Sequence, residues 1–363
     1  MAGRQIAIIG TVGLPARYGG FETLADHLVQ AAARRGLAHR LTIWCSATQS
    51  ATPPPATYLG ARLRYLPLRA NGAQSIPYDA VSLWQAARSG HGAALVLGVS
   101  GAVALPAVRA MSAMQIITHV DGIEWQRRKW GGLARAVLKG SEALAVRWSH
   151  AIVADNPDIA THIQTRHGRV PVEIAYGHEA QAVAADISDL QLPPAFALAM
   201  ARAEPENNLA LLLASFGRGA PLPPLVVVSN WADTAHGRAL MARYAGHPHL
   251  HLCGPEYDPG RLAALQARAL VYVHGHSAGG TNPSLVRMMG AGLPIAAWDC
   301  GFNRATTEGR ALYFHDAHSL VARIEELGDR HLRRAMAADL RAIARRRYRW
   351  EDVTDAYFRL LGL

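Results

Sequence analysis

Cysteine, aromatic residues and long apolar runs are all scarce in this chain of 363 residues. The three cysteines, Cys45, Cys253 and Cys300, are far apart and form no C-x-x-C pair, which argues against a zinc ribbon or a disulfide scaffold. No segment reaches the roughly 18–20 uninterrupted apolar residues of a membrane-spanning helix, because glycine and proline interrupt the best candidate, 93–108. A cleavable signal-peptide pattern is also lacking. These absences predict a cytoplasmic protein.

Lysine is nearly absent as well, although the chain is strongly basic. Lys129 and Lys139 are the only lysines, and arginine supplies the rest of a net charge of +10. A basic excess of this kind fits a solvated surface, an anionic small-molecule ligand or an anionic membrane face. No helix-turn-helix, zinc-finger or basic-zipper pattern occurs, so we expect no nucleic-acid partner.

What the sequence does contain is a regular alternation of apolar runs and amphipathic stretches. One series starts with a predicted strand at Gln5–Gly10, and a second starts with a strand at Ala195–Met200. The alternation predicts an α/β protein with two Rossmann-like, doubly wound domains that face a central cleft, with the site at the carboxyl ends of the strands. The predicted divisions are an N-terminal domain at 1–178, a linker at 179–194, a C-terminal domain at 195–345, and a last helix at 346–363 that crosses back to the first domain.

A glycine-rich segment follows the first predicted strand. It reads GTVGLPARYGGFET over residues 10–23 and places Gly19 and Gly20 directly before a helix. Backbone amides at such a helix end can bind an anion. Turn geometry alone explains the glycines equally well, and both interpretations stay open.

A second glycine-rich segment, HGHSAGGTNPSL at 274–285, also lies between a predicted strand and a helix. Asn282 is the predicted N-cap and Pro283 the first helical residue, an arrangement that suits a bound diphosphate. Packing or capping within the loop is one explanation of His274 and His276, and a functional role stays open. A metal site there would need a third ligand, which the sequence does not indicate.

Four segments together resemble one enzyme family: GTVGLPARYGGFET, HVDGIEWQRRKWG (119–131), ARAEPENN (201–208) and HGHSAGGTNPSL. The chain resembles glycosyltransferase family 4, and more closely its bacterial rhamnosyltransferase-like branch of capsule and exopolysaccharide assembly. The similarity extends from about Ile6 to Phe314. It implies a GT-B fold, a nucleotide-sugar donor held mainly by the C-terminal domain and an acceptor held mainly by the N-terminal one. It also implies retention at the anomeric carbon without a catalytic metal, with a dTDP-, UDP- or GDP-linked sugar as co-substrate.

The resemblance assigns roles to individual residues. Asp121 stands where many members have a histidine near the donor sugar, and Arg202 matches the basic residue that meets the diphosphate; both are the candidate catalytic residues. The candidate donor-binding residues are Gly19, Gly20, Arg202, Asn207, His276, Gly279, Gly280, Thr281, Asn282 and Arg287. The candidate acceptor-binding residues are Tyr18, Glu22, Glu124 and Trp125.

Three positions depart from the family pattern. Arg287 replaces the glutamate that usually accepts the ribose hydroxyls, and arginine can only donate hydrogen bonds. Ala305 replaces the acid of an F-N-R-E run, and Val12 an arginine. Three interpretations follow: a donor bound differently, with Arg287 on a phosphate or uronic acid; a weak enzyme; or a non-catalytic subunit that binds a nucleotide, glycan or partner transferase. The first predicts a retaining transferase with front-face displacement, rhamnose from its dTDP-activated form being the first guess. A Rossmann oxidoreductase is disfavoured, since G-x-G-x-x-G is absent.

The segment Gln126–His150 is rich in basic and aromatic residues. Such a stretch can lie on an anionic membrane, where an acceptor linked to a polyprenyl diphosphate would reside. An ordinary amphipathic helix packed on the sheet explains it equally well. The first interpretation predicts peripheral attachment at the inner face of the plasma membrane.

Overall fold

The computed structural model describes residues 3–16, 19–49, 53–120, 122–123, 125, 131–178 and 181–363. The chain divides into two compact units. The first contains the residues up to Tyr176 together with Trp350–Leu363, and the second contains Gly177–Arg349.

The first unit is built on an eight-stranded sheet. Its strands are β1 (Ile6–Ile9), β2 (Leu41–Ser46), β3 (Thr57–Tyr58), β4 (Ala61–Leu66), β5 (Ala93–Leu97), β6 (Gln115–Val120), β7 (Ala151–Ala154) and β8 (Val172–Glu173). The spatial order is β3-β4-β2-β1-β5-β6-β7-β8, and β3 is the strand that runs antiparallel to its neighbour. Strands that continue from β1 towards β2 on one side and towards β5 on the other form a doubly wound sheet, as predicted.

Five helices of this unit follow its strands. They are α1 (Gly20–Arg34), α2 (Ser75–Arg88), α3 (Leu105–Met111), α4 (Gly132–Trp148) and α5 (Pro157–His167). Apolar residues of α1 pack on one face of the sheet in a cluster with Ile6 and Ile8. Helices α2, α3 and α4 pack on the other face with Ala7 and Ile9. Because successive side chains of a strand point to opposite faces, β1 is buried on both sides.

The second unit has a six-stranded sheet in which all described pairs are parallel. Its strands are β9 (Phe196–Met200), β10 (Leu225–Val228), β11 (Leu250–Cys253), β12 (Ala269–His274), β13 (Ile295–Trp298) and β14 (Leu312–Phe314). Its helices are α6 (Leu209–Phe216), α7 (Ala235–Tyr244), α8 (Pro259–Arg268), α9 (Pro283–Ala291), α10 (Gly301–Thr307), α11 (Ala317–Glu326) and α12 (Arg330–Arg347). The strand order is β11-β10-β9-β12-β13-β14. The chain adds β10 and β11 on one side of β9 and then adds β12, β13 and β14 on its other side, so the strand order reverses between β9 and β12.

The last helix, α13 (Trp350–Leu361), belongs to the first unit. Its buried Tyr357 and Phe358 pack in the cluster that contains α1. Trp350 stacks on His27 at 3.9 Å between ring centroids, and Asp355 pairs with Arg35. Two helices far apart in the sequence are thereby packed together.

Some elements differ from the sequence prediction. Helix α10 and strand β14 were not predicted, because each is short and lies in a polar, arginine-containing stretch. The tail was predicted to be one helical stretch, 320–363, interrupted only near Arg347–Trp350. It has a further break, because α11 ends at Glu326, with Leu327 as its C-cap residue, and Asp329 caps α12 by accepting from the His331 amide.

Candidate functional site

The site in the second unit lies where the strand order reverses. Strands β9 and β12 are parallel neighbours, so their carboxyl ends emerge at the same edge of the sheet. The loop 201–208 follows β9, and the loop 275–282 follows β12. Ligands of open α/β sheets bind at such a reversal. Both segments singled out in the sequence for the donor therefore lie at the expected position of this sheet.

Hydrogen bonds join the two loops. Asn208 Nδ2 donates to the carbonyl of Gly275 at 2.8 Å, and both the amide and the hydroxyl of Ser277 donate to the carbonyl of Glu206 at 2.9 Å. A Cβ at Gly275 would overlap the carbonyl oxygen of Asn207. Glycine is needed at position 275 because the two backbones approach so closely.

Asn207 connects the predicted basic residue to the predicted histidine. Its Nδ2 donates to the carbonyl of Arg202 at 2.8 Å, and its Oδ1 accepts from Nδ1 of His276 at 2.6 Å. Gly279 has φ 125°, and a Cβ there would lie 2.9 Å from His276 Nε2. Three predicted donor residues, Asn207, His276 and Gly279, are therefore brought into one cluster.

The first turn of α9 forms one side of this cluster. Asn282 caps the helix by accepting from the Ser284 amide at 3.0 Å, with Pro283 in the first turn as predicted. The hydroxyl of Tyr272 lies 3.0 Å from Ser284 Oγ and 3.1 Å from the carbonyl oxygen of Met200, and its single proton can be donated to either. The loop residues Gly280 and Thr281 lead into this cap, and Thr281 is buried.

Two cations of the site lack a counter-ion among the described residues. Arg202 is exposed, and Arg287 on α9 is half-buried. Neither guanidinium has a hydrogen bond or ion pair within the part of the chain that the structure describes. Arg287 lies one turn after Pro283 and Ser284, on the same side of α9. Both positive charges remain available to an anionic ligand.

Glu206 supplies an acceptor that the described residues do not use. Its side chain is 7% exposed, and Oε2 is buried without a hydrogen-bond partner among them. A buried polar atom in this state costs free energy unless a ligand or water satisfies it. A ligand hydroxyl could satisfy Oε2 by donating a hydrogen bond to it. A hydroxyl-to-carboxylate hydrogen bond is also the contact that is lost where Arg287 replaces the family's glutamate.

Two neighbouring residues complete the site, and neither was among the predicted site residues. Asn303 on α10 donates to the carbonyls of His276 and Trp298, both at 2.9 Å, and so fixes the histidine loop to the end of β13. His274 is fully buried, and burial lowers its pKa to about 3, so the ring is neutral. The F-N-R-A run was the signal for Asn303. Arg304 of that run forms an ion pair with Asp299 at 2.6 Å instead.

The strand reversal of the first unit lies between β1 and β5. Its glycine-rich loop holds a carboxylate: Glu22 is buried, and its Oε1 accepts from the amide of Val12 at 2.7 Å. Gly19 has φ 113°, and a Cβ there would overlap Glu22 Oε2. Burial raises the pKa of Glu22, against the lowering by its backbone hydrogen bonds. Gly20 is the first residue of α1.

His119 marks the same edge at the end of β6. Its Nδ1 lies 2.8 Å from the hydroxyl of Tyr357, and Phe21 packs edge-on at 5.4 Å. Burial lowers the pKa of His119 to about 3, and its buried Nε2 has no partner among the described residues. Sequence reasoning quoted His119 within a motif without assigning it to the site.

The other predicted site residues of the first unit lie only in part among the described residues, and so does the predicted membrane segment, of which residues 126–130 lie outside them. Asp121, Tyr18 and Glu124 lie outside the described residues. Trp125 is described, and its Nε1 donates to Glu142 Oε2 at 2.9 Å. Its role as an acceptor residue stays a prediction.

Comparison with known proteins bears out the fold. Residues 3–179, slightly less than half of the chain, match the family described as a domain of unknown function (DUF1972). No curated protein matches the chain. Sucrose-phosphate synthase from Thermosynechococcus elongatus superposes with a TM-score of 0.82 at 17% identity over 98% of both chains. Anabaena Alr3699/HepE in complex with UDP gives 0.71 at 15% over 99% of both. An α,α-trehalose 6-phosphate synthase from Burkholderia multivorans gives 0.73 at 12%, over 99% of this chain and 98% of the other. These similarities confirm the predicted GT-B fold.

Proposed function

We propose that this chain is a glycosyltransferase that takes a sugar from a nucleotide-diphosphate donor. One observation carries the proposal: the loops after β9 and β12 are hydrogen-bonded to each other at the strand reversal, the second loop leads into the capped end of α9, and the guanidinium of Arg202 on the first loop has no partner among the described residues. Developing negative charge on a leaving diphosphate is stabilised by such donors. The fold shared with the HepE structure, which contains UDP, supports the same assignment.

The proposed reaction proceeds with retention and without a catalytic metal. The acceptor hydroxyl oxygen bonds to the anomeric carbon on the face from which the diphosphate leaves. The bond from that carbon to the phosphate oxygen breaks, and the hydroxyl proton passes to the departing phosphate. Arg202 stabilises the leaving group, and Glu206 accepts from a donor hydroxyl. Rhamnose from a dTDP-linked donor is the first candidate, and a lipid-linked surface polysaccharide is the proposed acceptor.

A donor screen tests this proposal. The full chain is titrated by calorimetry with UDP-, dTDP- and GDP-linked sugars, and the anomeric configuration of any transferred sugar is determined by NMR. We expect one class of donor to bind with 1:1 stoichiometry and to transfer with retention. Absence of binding to every donor would favour the non-catalytic subunit instead.

The exposed side chains of the first unit support the proposal that the acceptor is bound to a membrane. Helices α2, α3 and α4 pack on one face of the sheet, and several large apolar side chains on their outer side are exposed. The exposed apolar side chains on these helices are Val81, Trp84, Met111 and Val137. Val103, which lies between β5 and α3, is exposed as well. Exposed cations on the same helices are Arg88, Arg109, Arg135, Lys139 and Arg147. We call these ten residues the basic-apolar face.

The basic-apolar face has no exposed acid among the described residues of its helices. The two carboxylates in them, Asp79 and Glu142, are both buried. Apolar side chains with arginine, lysine and tryptophan around them suit the headgroup region of an anionic bilayer, where each cation contributes about 1 kcal/mol. No helix among the described residues is long and apolar enough to cross a bilayer. The proposed attachment is therefore peripheral.

Cosedimentation with lipid vesicles tests the attachment. We expect binding to vesicles that contain phosphatidylserine, weakening as salt rises through a few hundred millimolar because exposed charges are screened. Lys139→Glu and Trp84→Ser should reduce binding. Arg345→Glu makes a similar charge change on the exposed side of α12 and serves as the control. Equal binding to neutral vesicles, or an equal loss of binding in the control variant, would refute the proposal that the basic-apolar face binds a membrane.

A further inference from the structure

A carboxylate and two imidazoles converge in the first unit, and none of the three residues was assigned to the donor. Glu142 lies on α4, and His162 and His167 lie on α5. Oε1 of Glu142 is 2.8 Å from Nε2 of His167 and 3.0 Å from Nε2 of His162. All three atoms lie within 4.8 Å of one another. The two helices therefore bring together three potential metal-ligand atoms, one carboxylate oxygen and two imidazole nitrogens.

The carboxylate is buried, and the one cation that the described residues place at ion-pair distance from it is exposed. The side chain of Glu142 is 3% exposed, whereas those of His162 and His167 are 15% and 14% exposed. Nε of Arg166 is 3.6 Å from Oε1, an ion-pair distance that is too long for a hydrogen bond, and the Arg166 side chain is 42% exposed. Burial opposes ionisation, but hydrogen bonds from His167, His162 and Trp125 hold the pKa of Glu142 below its ordinary value. Buried charges in proteins are normally paired or bound to metal.

The other carboxylate oxygen is already fixed in place. Oε2 of Glu142 accepts from the indole nitrogen of Trp125 at 2.9 Å. Metal-binding carboxylates commonly have such a hydrogen bond on the oxygen that does not bind the ion, because it orients the ligand. Oε1 is thereby directed at the two imidazoles.

We propose that Glu142 Oε1, His162 Nε2 and His167 Nε2 bind one divalent transition-metal ion of the zinc class, with water as the fourth ligand. Two histidines and one glutamate form a known zinc set that keeps one position open. Imidazole favours zinc, copper and nickel over magnesium or calcium, which prefer oxygen. The imidazoles bind through the Nε2 lone pair, so each ring holds its proton on Nδ1 in the metal-bound state.

Two positively charged side chains near the cluster disfavour the binding of a metal cation, but their exposure to solvent weakens this repulsion. Lys139 Nζ lies 4.4 Å and the Arg166 guanidinium 5.3 Å from the centroid of the Trp125 ring. Lys139 is exposed, and the side chain of Arg166 is 42% exposed, so solvent screens both charges and Arg166 can turn outwards. A bound ion would link α4 to α5 and, through Glu142, hold Trp125. None of the three ligand residues was assigned to the donor, so metal binding can be measured without sugar transfer, although their neighbour Trp125 is a candidate acceptor residue.

Metal titration of the untagged, chelator-treated full chain tests the proposal. We expect one equivalent of Co²⁺ to give the visible absorption of a tetrahedral site, and one equivalent of Zn²⁺ to displace it and raise the melting temperature by mass action. His162→Ala and His167→Ala should each weaken Zn²⁺ binding by about tenfold or more. His39→Ala removes an exposed histidine of the same unit and should change nothing.

Circular dichroism in the absence of metal shows whether each variant is folded. Because His162 and His167 are partly exposed, their variants remain informative even where Glu142→Gln fails to fold. No stoichiometric binding, or binding that both histidine variants leave unchanged, would overturn the site and reduce the cluster to a hydrogen-bonded set.

Discussion

The two strand reversals of this protein have the same construction but differ in the charge at the helix end. Each has a glycine-rich loop leading into a helix, and each has a buried histidine, His119 or His274, whose pKa burial lowers to about 3. In the first unit the residue beside the helix end is Glu22, a carboxylate of the chain itself. In the second unit the cap is the neutral Asn282, and Arg202 and Arg287 have no counter-ion among the described residues.

This difference shows that a glycine loop before a helix does not by itself define a phosphate site. Glu22 already places negative charge at the helix end of the first unit, where an anion would otherwise be favoured. In the second unit the neutral Asn282 occupies the corresponding cap position. Gly19 and Gly20 were predicted to bind the donor, and their role stays a prediction that the position of Glu22 makes less favourable.

The largest effect that would test this difference is expected at Arg202. Arg202→Ala should lower the turnover of sugar transfer by about 10²–10³-fold, since it removes a donor to the leaving diphosphate. Its thermal stability should be unchanged, because the side chain is exposed. Steady-state kinetics measures the effect, with Arg218→Ala, another exposed arginine of the second unit, as control. Full activity of a folded Arg202→Ala protein would remove Arg202 from the site.

Arg287 is expected to give the second-largest effect. Arg287→Glu should weaken donor binding by about 1.5–3 kcal/mol if the guanidinium pairs with a donor phosphate or carboxylate. Calorimetry of both proteins with the best donor measures the change. A donor that binds only the variant would show that the native chain has lost its ribose contact, and would favour the non-catalytic subunit.

Gly275 tests whether the joined loops are needed. Gly275→Ala should destabilise the second unit by about 1–3 kcal/mol and weaken donor binding, because its Cβ would overlap the carbonyl of Asn207. Gly254→Ala, where a Cβ meets nothing within 4 Å, is the matched control. Equal urea-unfolding midpoints for the two variants would contradict the close approach of the loops.

The smallest effect concerns the pH dependence of Glu22. Because burial raises its folded-state pKa above 4.5, its contribution to stability is fully present below that value and is lost as pH rises through the folded-state pKa. Glu22→Gln should lack this loss, so the stability difference between the two proteins should grow with pH. Urea unfolding from about pH 4 to 8 measures it. Burial raises the pKa of Asp79 to about 7, and since that group is present in both proteins it cancels in the difference. If the unfolding free energies of the two proteins changed in parallel with pH, burial would not raise the pKa of Glu22.

Much of the fold was predictable because its signals are local. The strands at Ala93–Leu97, Gln115–Val120 and Ala151–Ala154 have the predicted bounds, since each is a short apolar run between polar breaks. The caps at Asn282 and Asp329 are likewise determined by a residue and its near neighbours. The first was recognised from the Asn-Pro pair, and the second was missed within a charged stretch.

The partners of the site residues were not predictable, because they come from distant parts of the chain. Asn303 reaches the carbonyl of His276 from a helix that the sequence did not reveal, and Tyr357 reaches His119 from the last helix. Glu142 meets two histidines of the next helix, although the sequence pattern showed only a basic amphipathic stretch. No spacing rule connects such residues.

The sequence by itself determined two series of parallel strands and helices, the two glycine-rich loops, and the arginine at position 287. These follow from apolar periodicity and from the conformations that glycine and proline allow, which act over a few residues. Tertiary structure alone decided which helix end is filled by a carboxylate, which cations lack partners among the described residues, and which histidines are neutral. Those properties depend on burial and on the distances between charges, and both arise only when distant segments pack together.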